Sequence, residues 1–274
     1  MKPLVSICIP VYNSEDTIRE TLETALAQDY ENYEVVIVDN ASTDQTVACI
    51  NEFSDARIHL YQNETNLGMV GNWNKILEYA KGDFLHFLCA DDLLEEQCIS
   101  KKMDMMLAND DMNFVTSATL VINEDGQRVL ERHMHRGDAV FDGKTLAKKS
   151  FHRKNMFGEP SSALIRTKRI KEVGGFATTM CYGTDWEMWL RIAAQGTVGY
   201  IDDVLSKYRV STSNETSSLK LRRILDDDKA MVACVKQYEE IHFTKLDIAI
   251  HKVMYALRSI ARNAFMKLQQ IKNK

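Results

Sequence analysis

Four short, almost unbroken apolar runs, each divided from the next by a stretch of helical periodicity, limit what this chain can fold into more than any other feature. They are Leu4 to Ile9, Tyr33 to Val38, Ile58 to Tyr61, and the segment FLHFLC from Phe84 to Cys89. An apolar run without polar alternation belongs to a strand covered on both faces, the situation inside a parallel sheet. Between the runs, Ile18, Leu22, Ala25 and Leu26, then Val47, Ile50 and Phe53, then Met69, Trp73, Ile76, Leu77 and Ala80 recur at helical spacing. Asn13 or Ser14 is the expected cap of the first helix and Asp44 of the second, and Gly82 closes the third. The order β-α-β-α-β-α-β predicts an α/β fold with a central, mainly parallel sheet flanked by helices on both faces.

Beyond Asn109 the rhythm loosens. FVTSATLVI, the turn-forming NEDG and QRVLERHM read as a hairpin, and a basic stretch, KKSFHRK, precedes a strand-like SSALIR. Asp185 opens a helix in which Trp186, Trp189, Leu190 and Ile192 are available to the core. The polar VSTSNETSS after Arg209 reads as a loop, and the chain from about Leu219 to Lys274 reads as helices.

Composition removes several classes. A formal charge of −5 argues against general nucleic-acid binding, which relies on clustered Lys and Arg. No apolar run approaches the roughly 20 residues that span a bilayer. The six cysteines are scattered without a C-x-x-C pair, which predicts free thiols in a reducing compartment. The N-terminal MKPLVSICIP lacks the long apolar core of a signal peptide. These readings place the protein in the cytoplasm, soluble or peripheral on the inner face of the membrane, with the sequons at Asn40, Asn63 and Asn214 incidental.

The chemistry-bearing residues share a position. Pro10 to Asn13, Asp39, and the pair Asp91 and Asp92 all fall where buried runs stop, and open α/β sheets bind ligands beyond the carboxyl ends of their strands. Carboxylates gathered at that edge resist ionisation unless a cation or hydrogen-bond donors compensate them, and a hard divalent cation is the simplest compensator. The same residue types also cap helices that begin where strands end. A dinucleotide fold is disfavoured because the first strand-to-helix turn, IPVYNSED, has no glycine and carries two acids, and no P-loop motif occurs.

Three linked segments, VSICIPVYNSEDTIRETLETALAQDYENYEVVIVDNASTDQT, then NLGMVGNWNKILEYAKGDFLHFLCADDLL, then GTDWEMWLRIA, make residues 3 to 210 similar to the family 2 glycosyltransferases. The resemblance implies a GT-A fold, a nucleotide-diphospho-sugar donor, and direct displacement with inversion at the anomeric carbon. It implies a catalytic domain over 1–215, with a nucleotide-binding half over 1–110 and an acceptor-binding half over 111–215, and a helical extension over 216–274. Pro10, Tyr12 and Asn13 match the motif that shapes the base pocket, Asp39 the acid that meets the base, and Gly68 lies in a further donor-side segment. Asp91 and Asp92 match the acidic metal motif that holds Mn²⁺ or Mg²⁺, with Asp92 the preferred metal ligand and Asp91 nearer the ribose. Asp185 matches the general base.

Three departures from the family pattern stand out. Cys89 occupies the first acidic position of the metal motif, Thr184 stands where a Glu commonly precedes the base, and Gly71 stands where many relatives carry a phosphate-binding Arg. Arg209 is the candidate replacement cation, with His152, Arg153 and Lys154 behind it, and Trp186 and Trp189 read as core. The expected activity is metal-dependent transfer from a UDP- or dTDP-sugar to a hydroxyl of a carbohydrate or lipid-linked acceptor, in surface polysaccharide or glycoconjugate synthesis. A nucleotide-sugar-binding module without catalysis and a nucleotidyltransferase are the alternatives. The last helix, with Lys252, Arg258, Arg262 and Lys267 beside Ile248, Val253, Leu257 and Phe265, fits either a membrane surface or a dimer or domain contact.

Overall fold

The computed structural model describes residues 2–180, 183–211 and 221–257, with the backbone alone over 221–225. The elements in chain order are β1 (Val5–Val11), α1 (Ile18–Leu26), β2 (Tyr33–Asp39), α2 (Thr46–Asn51), β3 (Ile58–Gln62), α3 (Gly68–Tyr79), β4 (Phe84–Phe87), β5 (Leu93–Leu94) and α4 (Cys98–Leu107). They continue with β6 (Met112–Ile122), β7 (Arg128–Arg132), β8 (Ala139–Asp142), α5 (Gly143–Arg153), a 3₁₀ turn (Pro160–Ser162), β9 (Ala163–Arg166), α6 (Thr167–Glu172), α7 (Thr184–Ala193), β10 (Thr197–Arg209) and α8 (Leu221–Val235). Residues 245–257 are helical as well.

One sheet organises the molecule, in the order β3-β2-β1-β4-β9-β6-β10-β5, with β7 beside β6 and β8 beside β10. The first four strands in that order are parallel, β9 is an antiparallel wedge between β4 and β6, and β6 and β10 run parallel again. The apolar runs are unbroken because alternate residues face two different cores. In β2, Val35 and Ile37 join the cluster with Ile18, Leu22 and Ile99, whereas Val36 and Val38 join the cluster with Phe114, Phe151 and Trp189 on the other face.

The expected strands of the first half, the hairpin of β6 and β7, and the helix at Asp185 are all present. The first helix begins later than its signals suggest. Its N-cap is Thr17, without a side-chain bond, because residues 14–17 form a turn in which the Ser14 carbonyl accepts from the amides of Thr17 and Ile18. Asn13, with a positive φ of 48°, reaches instead to the Thr43 amide, 2.8 Å away. Asp44 accepts from the Thr46 amide at the start of α2 and also from the Glu15 amide (3.0 and 3.1 Å), so it joins two loops.

KKSFHRK belongs to helix α5, and the long strand β10 has no sequence forecast. Irregular register between Ile201 and Ser206 turns Asp203 out to water, where it meets Lys101 at 2.7 Å, and this interrupts the strand's apolar pattern. Within the helical extension, Met231, Val232, Val235, Ile241 and Phe243 sit in the same buried cluster as α5 and α7. The segment from 212 to 220, with Asn214, lies outside the described residues, as do Cys181, Arg258, Arg262, Phe265 and Lys267. Among the described residues the cysteines are free, and Asn40 is 2% exposed, sealed from any glycan.

Trp189 is fully buried against Phe114, with ring centroids 5.2 Å apart, and its indole N–H has no partner among the described residues. Trp189→Ala is therefore expected to lower unfolding free energy by about 3–5 kcal/mol in denaturant titration. Trp189→Phe, which discards an unsatisfied donor, is expected to cost much less.

Candidate active site

The carboxyl ends of β1 and β4 and the segments around β7, the 3₁₀ turn and α7 enclose one cleft of ≈ 1760 Å³. That is roomier than the roughly 300–1,000 Å³ of a single small-molecule site, and it suits two substrates. Pro10 lines it from β1 and Tyr12 and Asn13 from the loop that follows, Cys89 and Asp91 from the turn after β4, and Glu159, Asp185 and Trp186 from the second half. Tyr12 is 47% exposed, so its ring is open to stacking.

Asp91 and Asp92, adjacent in sequence, have different surroundings. Asp92 has no exposed surface: its Oδ2 accepts from the Ser161 hydroxyl at 2.5 Å and its Oδ1 from the Arg209 amide at 2.9 Å. Burial, with Asp91 beside it, pushes its pKa well above the usual carboxylate range despite those bonds. Asp91 lines the cleft, and its pKa is raised by burial and opposed by its own amide and by Arg209. Asp92, the expected leading metal ligand, thus lies beneath the turn with both oxygens engaged, and Asp91 is the one that lines the cleft.

Arg209, the candidate replacement cation, lines the cleft. It is 5% exposed, and its Nε donates to the Asp91 carbonyl at 2.9 Å, Nη1 to the Glu124 carbonyl at 3.1 Å and Nη2 to the Glu20 carboxylate at 2.6 Å. It clamps the 91–92 turn to α1 and to the hairpin turn. Sequence reasoning missed the other supports of this turn. The Thr17 hydroxyl at the α1 N-cap and the Thr21 hydroxyl within α1 both donate to the Ala90 carbonyl (2.8 and 3.0 Å), and the Cys89 amide donates to the Ser161 hydroxyl at 3.0 Å. Thr21 carried a usable signal, a polar residue one position before Leu22 on the buried face of an amphipathic helix; Ser161 carried none.

Cys89 lines the cleft where an acid is usual, and burial together with Asp92 and Asp91 raises its thiol pKa, so the position carries no charge. Asp39 is 1% exposed, does not line the cleft, and accepts from the Ser42 amide at 3.3 and 3.2 Å. Gly68 opens α3 with a φ of 74°, and its carbonyl accepts from the Asn40 side chain at 3.3 Å; the neighbouring Met69 is the one that faces the cleft. Of the basic residues after Phe151, Arg153 and Lys154 line the cleft, while His152 turns to Asp247 at 2.8 Å.

Asp185 is the second residue of α7, after Gly183 at the N-cap with a φ of 81°. The Asn155 side-chain amide donates to its Oδ2 at 3.3 Å. Burial raises its pKa from the usual 3.8 to about 6; the Trp186 amide opposes the rise and the Glu159 carboxylate adds to it. Trp189 is core as expected, and Trp186 is half-buried at the cleft wall with its indole N–H bonded to Ser150 at 2.9 Å.

A sheet with this strand order, its helices on both faces and a cleft across the carboxyl ends make this a GT-A glycosyltransferase fold. Among solved structures, S. aureus TarS in complex with UDP-GlcNAc aligns with a TM-score of 0.71 at 18% identity, covering 92% of this chain and 71% of that one. The mannosyltransferase PcManGT from Pyrobaculum calidifontis, in complex with GDP-Man and Mn²⁺, aligns with a TM-score of 0.64 at 17% identity, covering 99% and 80%. Residues 6–174 match the model for glycosyl transferase family 2, and the chain belongs to that family. A relative from Escherichia coli, the UDP-Glc:alpha-D-GlcNAc-diphosphoundecaprenol beta-1,3-glucosyltransferase WfgD, is 30% identical over 78% of this chain and 80% of its own. The putative teichuronic acid biosynthesis glycosyltransferase TuaG of Bacillus subtilis is 27% identical over 89% and 92%.

Two measurements probe this geometry. Ser161→Ala strands the Cys89 amide and one oxygen of Asp92, and denaturant titration is expected to show a loss of about 1–3 kcal/mol. For Asp185 the folded pKa lies above the unfolded one, so its contribution is fully present below about pH 4 and is lost as pH rises through about 6. Asp185→Asn escapes that loss, and is expected to be more stable than the parent by roughly 2 kcal/mol near pH 8, with the advantage vanishing near pH 4.

Proposed function

We propose that this protein transfers one sugar, with inversion, from a UDP- or dTDP-sugar to a hydroxyl of a lipid-linked or free carbohydrate acceptor, in surface polysaccharide or glycoconjugate synthesis at the cytoplasmic side of the membrane. The observation that carries the reading is the shared cleft of Asp91 and Asp185, with Asp185 held near a pKa of about 6. Such a base is ionised at neutral pH and still basic enough to take a proton from an attacking hydroxyl. The acceptor oxygen attacks the anomeric carbon as its proton passes to the Asp185 carboxylate, and the bond from that carbon to the donor diphosphate breaks with both electrons leaving on the diphosphate. Tyr12 stacks on the base, Pro10 and Asn13 shape its pocket, and Asp39 and Gly68 steady the loops around it.

The residues fit a divalent cation of the Mn²⁺ or Mg²⁺ kind. Asp91 is raised by burial, and its neighbouring cation Arg209 is already paired with Glu20, which leaves the carboxylate short of positive charge. Among the described residues no group of three or more His, Cys, Asp or Glu converges, but such ions commonly take one or two carboxylates and complete their shell with substrate phosphates. When bound, the ion would neutralise charge on the departing diphosphate. Asp92 then acts through the turn it anchors.

A donor-binding module without turnover is the second reading, favoured by Cys89 and Gly71 standing where the family usually has an acid and an arginine. Kinetics separate the two. Asp185→Asn is expected to lower kcat by about 10²–10⁴-fold while calorimetry shows donor affinity nearly unchanged. Asp91→Asn is expected to remove the Mn²⁺-dependent part of donor binding, seen as a lost thermal shift with UDP-sugars. In the parent, kcat/KM is expected to fall below about pH 6 as Asp185 protonates. Turnover that survives Asp185→Asn, or full activity in excess chelator, contradicts the respective role.

A further inference from the structure

The helix over 245–257 has two unlike faces. Its inner face is pinned: His251, fully buried, meets the Phe151 carbonyl at 2.6 Å and Asp228 at 2.7 Å, and its ring stacks on Phe151 at 4.1 Å. Asp247, 9% exposed, pairs with His152 at 2.8 Å. The outer face carries Leu246, Ile250, Val253 and Leu257, with exposures of 68%, 36%, 60% and 55%. Their spacing puts them on one stripe, with Ala249 and Ala256 exposed along its edge and the exposed Lys245 and Lys252 beside those. Single exposed aliphatics are ordinary, but four in line on a firmly attached helix mark a surface meant to be covered.

The same helix reaches the active site. Tyr255 lines the cleft, and so do the exposed Arg153 and Lys154, at the end of the α5 segment against which this helix packs. The chain carries a net charge of −5, yet the exposed residues bordering the stripe and this end of the cleft include Lys245, Lys252, Arg153 and Lys154. A second copy is a poor match for the stripe. Self-pairing would bring Lys245 and Lys252 of one copy against those of the other, and like charges juxtaposed at an interface disfavour the pairing. No helix among the described residues is long and apolar enough to cross a membrane.

We propose that the outer face of this helix lies on an anionic bilayer, with Leu246, Ile250, Val253 and Leu257 at the acyl boundary and Lys245 and Lys252 among the headgroups. In that pose Tyr255, four residues after His251 on the inner face, sets its end of the cleft about one helix diameter, roughly 10 Å, from the headgroups, within reach of a sugar carried on a lipid anchor. The proposal rests on the glycosyl-transfer reading only for what the cleft collects there, because vesicle binding is measured without turnover.

The test is co-sedimentation of the full chain with phosphatidylglycerol-containing vesicles and with phosphatidylcholine vesicles, for the parent, Leu246→Ser with Val253→Ser, and Lys245→Glu with Lys252→Glu. The parent is expected to bind anionic vesicles at least tenfold better than neutral ones. The serine pair is expected to bind them at least tenfold more weakly than the parent, while keeping its melting temperature and its transfer to a water-soluble acceptor. The glutamate pair leaves the stripe intact and is expected to lose the preference for anionic lipid. Failure of the parent to bind, or equal binding by the serine pair, overturns the proposal. So does light scattering that shows a parent dimer which the serine pair breaks, since a second copy then covers the stripe. Loss of transfer in soluble assays by the parent itself sinks the catalytic reading and leaves the membrane result standing.

Discussion

Three distant stretches of chain meet at the carboxylate of Asp92. The turn after β4 supplies the acid, the 3₁₀ turn before β9 supplies the Ser161 hydroxyl, and the last residue of β10 supplies the Arg209 amide. A carboxylate with no water around it is tolerated only while its oxygens are satisfied, so none of the three stretches can shift without stranding it. Asp91 is held at the cleft surface by being next in the chain. Arg209 is held by the same meeting, and its guanidinium carries the constraint on to Glu20 of α1 and to the turn of the β6–β7 hairpin. The antiparallel β9 makes the meeting possible, because it enters between β4 and β6 and brings its leading 3₁₀ turn back to the edge where the parallel strands end.

The two acids that face the cleft share a physical situation. Asp91 and Asp185 are each half-buried, and desolvation raises both above ordinary carboxylates. Each is therefore less stable ionised than it would be in water, and more responsive to a cation or to an acceptor proton placed beside it. The fold tolerates that cost because the cores on the two faces of the sheet are large and continuous, and the second is completed by α8 and the residues after it. Stability is stored in those layers, and the carboxyl edge of the sheet is left free to carry uncomfortable charges.

The parallel half of the fold was legible because its signal is local and repeated: a strand covered on both faces must be apolar throughout, and its partner helix must carry one stripe. The second half was less so. β10 is disguised by the irregularity that turns Asp203 to solvent, and α5 by a basic sequence that hides the buried Leu146, Ala147, Ser150 and Phe151. Asn13 read as a helix cap and instead bonds the Thr43 amide, 30 residues away in sequence. A short polar side chain looks the same in a sequence whether its partner is in the next turn or on another loop. Arg209 shows the same limit: the polar loop that follows it in sequence carries no sign of Glu20, 189 residues earlier, which lies against its guanidinium.

By itself the sequence determined the alternation of strands and helices, the collection of acids and of Pro10 to Asn13 at strand ends, and an order of motifs long enough to fix the family. Those properties follow from local burial and from residue identity. Only the tertiary structure decided which of two adjacent aspartates faces the cleft and which is sealed beneath it, that Cys89 leaves its position uncharged, and that Asp185 is poised near neutrality. It also decided that the helix over 245–257 sends its aliphatic stripe outward. Each of those depends on what lies against a side chain from remote parts of the chain, and desolvation and hydrogen-bond partnership over such separations have no signature in the neighbouring residues.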